Sequence, residues 1–146
     1  MLPQLYFEDV KEGMEIPCLE VGPITTEHLV RWACAAGDYN PIHYDQEFAR
    51  SQGLPTVIVH GPFKLSLLAR MLLAWGGPNS FLRRISCRYT AIDVPGNTLF
   101  CRGRVKARRV LGQEKLVDCE IWMENQKGEV TVKGEATIIL PSREER

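Results

Sequence analysis

Nothing in this 146-residue chain approaches the ~20 consecutive apolar residues that a membrane-spanning helix requires. An excess of one charge is also missing. Lys plus Arg number 18 and Asp plus Glu number 18, whereas a dedicated nucleic-acid binder carries a marked basic surplus. A local basic patch for a phosphate group remains compatible with that balance. Cysteines are few and scattered: Cys18, Cys34, Cys87, Cys101 and Cys119 are odd in number and form no Cys-x-x-Cys pair. That spacing argues against a zinc site or a redox dithiol. They read as reduced thiols, several of them small core residues, which fits a cytoplasmic protein. The segment Met1 to Asp9 has neither the basic nor the apolar region of a secretory signal, so none is expected. No repeat, low-complexity tract or linker divides the chain, so a single domain over residues 1–146 is expected.

What is present is a core: 45% of the residues are hydrophobic, enough to exclude a disordered chain. The first half reads as loop and helix. Thr25 or Thr26 caps a helix over Glu27 to Ala36 that Gly37 closes, with Leu29, Val30, Ala33, Cys34 and Ala36 near helical spacing. Asp45 caps a short helix through Arg50, which Gly53 stops. A third helix starts at Pro62 and runs to Trp75, apolar nearly all round except at Lys64, Ser66 and Arg70. The second half alternates at period two. Ile85 to Ala91, Leu99 to Arg108, Val117 to Glu124 and Val130 to Leu140 each show one apolar face, with Asp93–Asn97 and Asn125–Gly128 as turns. A sheet with one apolar face must cover it, and only the Pro62 helix is long and apolar enough. The expected class is α+β: an antiparallel sheet wrapped around one buried helix.

Chemistry concentrates in Gly37-Asp38-Tyr39-Asn40-Pro41-Ile42-His43. Asp38 and His43 stand on a proline-broken loop that can fold them together, and a carboxylate beside an imidazole can hold and activate one water. Alone, an Asp after a glycine is more often a turn residue and a single His more often structural; the pair in this setting favours catalysis. Gly61 opens the buried helix, where free N–H groups and the dipole favour negative charge and a glycine permits close approach. That suits a thioester carbonyl developing negative charge.

These residues, with Tyr44, Asp45, Ala49, Gly53 and Ile58-Val59-His60-Gly61, resemble the hydratase 2 motif of the MaoC-like, R-specific enoyl-CoA hydratases. The resemblance implies the hot-dog fold and a dimer. It implies that Asp38 and His43 are the catalytic pair, and that Gly61 polarises the carbonyl of a 2-enoyl thioester. Water then adds at C3 and a proton at C2, giving the (R)-3-hydroxyacyl product. Many such hydratases place a serine near the pair; Ser66 is the nearest candidate, although Ala69 competes for that turn. No metal and no separate cofactor are implied, because coenzyme A belongs to the substrate.

Other readings stay open. A hot-dog thioesterase would hydrolyse the same esters, and the chain could be the catalytic half of a heterodimer. Tyr39, Asn40, His60, Ser66 and Phe63 are candidate substrate-binding residues, with bland alternatives for each: Asn40 bonding loop backbone, His60 fixing the loop, the tyrosines Tyr39 and Tyr44 simply packing. Asp45 reads as a cap, and His28 as an exposed helix residue. Arg84 or Arg108 could grip phosphates of coenzyme A or of an acyl carrier protein's prosthetic arm. Pocket depth would depend on Tyr39, Phe63, Trp75, Phe81 and Trp122.

Overall fold

The computed structural model describes residues 3–145; the reading of Met1 and Leu2 as part of a leaderless start, and of Arg146 as part of the domain, lies outside them. One five-stranded antiparallel sheet holds strands β1 (Glu15–Val21), β2 (Phe81–Tyr89), β3 (Leu99–Leu111), β4 (Glu114–Asn125) and β5 (Val130–Ile139) in the order β1-β3-β4-β5-β2. Helix α1 spans Thr26–Ala36, α2 Gln46–Ser51 and α3 Gly61–Gly76. No helix among the described residues is long and apolar enough to cross a membrane.

The sheet curls around α3, which packs against all five strands. Leu67, Leu68, Met71 and Leu72 of α3 are buried against Cys101, Val105, Cys119, Ile121, Met123, Val132 and Ile138 from the inward face of the sheet. This is the expected hot-dog arrangement, and the period-two faces of β3 and β4 fall as the alternation requires. Asn125 and Gly128 close the β4–β5 turn, the Gly128 N–H donating to the Asn125 carbonyl at 2.9 Å. Cys101 and Cys119 are buried thiols pushed up to about 12 by burial, so they remain uncharged core groups.

Two expectations, on the first half and on His28, need correction, and others are sharpened. The first half is not loop and helix alone, because β1 lies in it. Its signal was weak: Pro17 interrupts the pattern, the register shifts between Ile16 and Leu19, and only Ile16 is buried. An edge strand tolerates such a proline, since one of its sides donates to no neighbour. On α1, only Leu29 and Ala33 of the apolar set are buried, and Val30 is exposed. His28 is half-buried and works in the helix cap: its Nδ1 accepts from the Thr25 N–H at 2.9 Å. Thr25, not Thr26, is the cap. Asp45 caps α2 as expected, accepting from the Phe48 N–H at 3.0 Å. The third helix begins one residue earlier than the proline signal suggested, at Gly61.

Candidate active site

The segment between α1 and α2 is shaped by its own backbone. Gly37 ends α1 with φ +68°, a left-handed conformation that glycine adopts without strain and that turns the chain sharply into Asp38. The Asp38 carboxylate accepts from the Asn40 N–H at 3.3 Å. Asn40 then caps a single 3-10 turn, Pro41–His43, accepting from the Ile42 N–H at 3.2 Å. This folded turn brings Asp38 and His43 together: His43 Nε2 lies 3.9 Å from Asp38 Oδ2. That gap exceeds a direct hydrogen bond and suits one bridging water.

The His43 ring is fixed from behind. Its Nδ1 lies 2.7 Å from the carbonyl oxygen of Ile58, and a carbonyl only accepts, so Nδ1 carries a proton and Nε2 is the nitrogen left bare toward Asp38 whenever the ring is neutral. Ile58 is itself tied to the same turn, its N–H donating to the Ile42 carbonyl at 3.1 Å. His60 stacks flat on His43, ring centroids 3.7 Å apart and planes 19° from parallel.

Asp38, His43 and His60 each offer a polar atom within 4.8 Å of the others. Two imidazoles and a carboxylate are familiar metal ligands. However, rings stacked with centroids 3.7 Å apart keep their lone pairs in two nearly parallel planes; one ion at a Zn–N distance of about 2.0–2.1 Å cannot lie near both planes, whereas a hydrogen-bonded atom at about 2.8 Å tolerates the offset. The arrangement suits a hydrogen-bonded ligand better than a chelated metal.

Helix α3 starts directly after His60. Its first backbone bond runs from the Lys64 N–H to the His60 carbonyl at 3.2 Å. The N–H groups of Gly61 and Phe63 lie ahead of that bond, and Pro62 has none. Their partial positive charge stands next to the stacked histidines. A Cβ on Gly61 would lie 2.8 Å from the Tyr89 ring, so any side chain there would have to displace that ring. Tyr89 is about half exposed, yet desolvation of its hydroxyl, and then the Cys87 side chain, push the phenol up to about 12, so it is a neutral O–H beside Gly61.

The other sequence-named residues fall in different places. Ser66 is half-buried and donates to the Phe63 carbonyl of its own helix at 2.7 Å. Phe63 packs on Trp32, ring centroids 5.4 Å apart. Tyr39 and Tyr44 are exposed, and so is Phe81. Arg108 donates to the Phe7 carbonyl at 3.0 Å and lies over the Phe7 ring. Arg84 lines a cleft of about 400 Å³ on the charged outer face of the sheet, with the ion-paired Lys106–Glu135 and Arg109–Asp118. That cleft is lined by none of the Asp38, His43 and His60 group.

One group escaped the sequence reading. Lys64 is buried and bonds Asp93 Oδ2 and the Ala91 carbonyl, each at 3.0 Å. Asp93, fully buried, also accepts from Asn97 Nδ2 at 2.9 Å, and its carbonyl accepts from the Val59 N–H at 2.8 Å. The pair thus braces the segment that carries Ile58, His60 and Gly61. Its signal was a lone lysine on an otherwise apolar helix, with an aspartate in the turn after β2.

The buried His60 has a pH consequence. Burial lowers its basicity from the ordinary 6.5, and the charge on His43 adds to this, while Asp38 pulls the other way. A depressed folded value means the unfolded chain binds the proton more tightly. The stabilisation is therefore fully present above 6.5 and is lost as pH falls through the lower folded value. The perturbed carboxylates Asp118 and Glu135 start from 3.8 and 4.5 and are lowered further, so they act at more acid pH. The melting temperature is expected to fall once pH drops below 6.5, and His60→Phe to flatten that slope. Equal slopes in the two proteins would contradict this.

Residues 14–131 match the MaoC like domain family. Along nearly its full length the chain is similar to an (R)-specific enoyl-CoA hydratase of Rhodospirillum rubrum, 26% identical over 143 residues that cover 94% of this chain and 93% of the relative. It is 34% identical over 83 residues to the peroxisomal enoyl-CoA hydratase 2 of Arabidopsis thaliana; that match takes in 56% of this chain and 27% of the longer plant protein. Among solved structures, an unliganded R-hydratase from Pseudomonas aeruginosa superposes with a TM-score of 0.84 at 24% identity, over 96% of this chain and 88% of that one. That likeness is one of fold.

Proposed function

Since the chain belongs to the family of MaoC like domains, we propose that it is a carbon–oxygen lyase that adds water to a trans-2-enoyl thioester of coenzyme A or an acyl carrier protein, giving the (R)-3-hydroxyacyl thioester. The observation that carries this reading is His43 Nε2, held 3.9 Å from Asp38 Oδ2 by the bond from Nδ1 to Ile58. A water bridging that gap can lose a proton to the pair as its oxygen bonds C3. The C2=C3 π electrons take up a proton at C2, so one water is divided between the two carbons and nothing else is consumed. Negative charge passing through the thioester oxygen is met by the Gly61 N–H.

Gly61→Ala tests the last step. The new methyl would crowd the Tyr89 ring at 2.8 Å, and Tyr89 is exposed enough to move aside. The fold is expected to survive while kcat/KM falls by about 10²-fold: alanine keeps the N–H, but the methyl and the displaced ring shift the donor against the carbonyl it meets. Steady-state kinetics beside a circular dichroism spectrum would check it; an unimpaired variant would remove Gly61 from the mechanism.

A second copy of the chain is part of the proposal. Strand β2 is a sheet edge, and its exposed Phe81 and Tyr89 are apolar; an unpaired edge with apolar side chains invites strand pairing. Tyr89 lies over Gly61, so pairing there would bring the partner to the site. A monomer in sedimentation would count against this part.

The deciding assay follows a short 2-enoyl-CoA by its enoyl absorbance and, in parallel, by free thiol. Loss of absorbance without thiol supports hydration. Thiol release with the enoyl group intact would instead indicate a thioesterase.

A further inference from the structure

His60 is fully buried, and neither of its ring nitrogens makes a hydrogen bond of good geometry within the protein; its one approach to a backbone group, at Asp38, falls short of that geometry. Desolvating two polar atoms is costly, and a phenylalanine could stack on His43 without that cost. The nitrogens therefore call for a ligand. The position supplies one, because a polar atom of His60 lies within 4.8 Å of both Asp38 and His43. A point central to three atoms so spaced is about 2.8 Å from each, a hydrogen-bond distance.

We propose that His60 is a third holder of the reacting water, donating a ring N–H to the water oxygen while the water gives its two hydrogens to Asp38 and to His43 Nε2. The count of donors and acceptors closes at the water, which engages one of the two His60 nitrogens. Asp38 as a carboxylate and His43 Nε2 only accept, so they use both hydrogens of the water. One lone pair takes the His60 N–H, and the other stays free to attack C3. The stack keeps the three contacts in register: turning His43 would break both the 3.7 Å contact with His60 and the Nδ1 bond to Ile58. Remaining neutral suits His60 to this task, since a neutral ring has an N–H to give and does not repel protonated His43 during turnover. The inference rests on the hydratase reading above and adds a residue to its water site.

The test uses the whole protein with two variants, His60→Phe and Asp38→Asn, and a high-resolution crystal structure of the wild type. His60→Phe keeps a flat ring for the stack and removes the nitrogens. The expected result is a fall in kcat of at least about 30-fold with KM within about 3-fold, a share of the usual acid–base contribution. His60→Gln, which restores a donor, should recover part of the loss, as a packing role would not. The wild-type crystal should show one ordered water in contact with Asp38, His43 and His60. If Asp38→Asn is inactive and His60→Phe turns over normally, the His60 proposal is overturned and the hydratase reading stands. If Asp38→Asn keeps full activity, the hydratase reading fails; the crystal water then decides for or against the three-residue site. Should His60→Phe not fold, the glutamine variant and the crystal water carry the decision, and absence of that water overturns the proposal.

Discussion

Replacing Asp38 with Asn, or His43 with Ala, is expected to slow hydration of a short 2-enoyl thioester by about 10²–10⁴-fold, the range for removing a positioned acid or base. Asp38→Asn is the sharper probe. It keeps the side-chain oxygen that accepts from the Asn40 N–H, so the turn survives while the second carboxylate oxygen is lost. His43→Ala removes the base and its bond to Ile58; a single such bond contributes about 0.5–1.5 kcal/mol, which a domain of this size tolerates. On the proposed mechanism the two groups act on one water, so the double variant should lose little more than either single one. Normal turnover in both single variants, with unchanged circular dichroism, would end the catalytic assignment.

Lys64→Met should destabilise the fold by about 3–5 kcal/mol, because Asp93 would be left charged, buried and unpaired. Removing Asp93 as Asp93→Leu should do the same to Lys64. The double variant Lys64→Met/Asp93→Leu should regain most of that stability, since a buried ion pair can be replaced by apolar groups at little net cost. The recovery should be incomplete: Asn97 Nδ2 loses its acceptor, at about 1–3 kcal/mol. Denaturant midpoints with unchanged slopes would measure the three differences. A double variant as unstable as the two singles combined would mean that the two residues are not coupled.

Much of the fold was legible because β3 and β4 alternate along one buried face, and because α3 is apolar on nearly every side. Strand β1 was not legible. An edge strand with Pro17 inside it and a shift in register leaves little alternation to read. The Asp38–His43 pair was legible as residue types at a spacing, but its state was not. The proton on His43 Nδ1 depends on the Ile58 carbonyl, a backbone atom that carries no sequence signature. The stack of His60 on His43 also depends on tertiary folding, since the two residues come from different turns of chain. Lys64 was visible only as a polar exception on a greasy helix; its meaning needed Asp93, delivered from the far end of β2.

The most direct test of the central claim is to run the reaction in 18O-enriched water and locate the label. The account predicts 18O on the C3 hydroxyl of an (R)-3-hydroxyacyl thioester that is still joined to its thiol. Label in the carboxylate of a free acid, with the double bond intact, would contradict it.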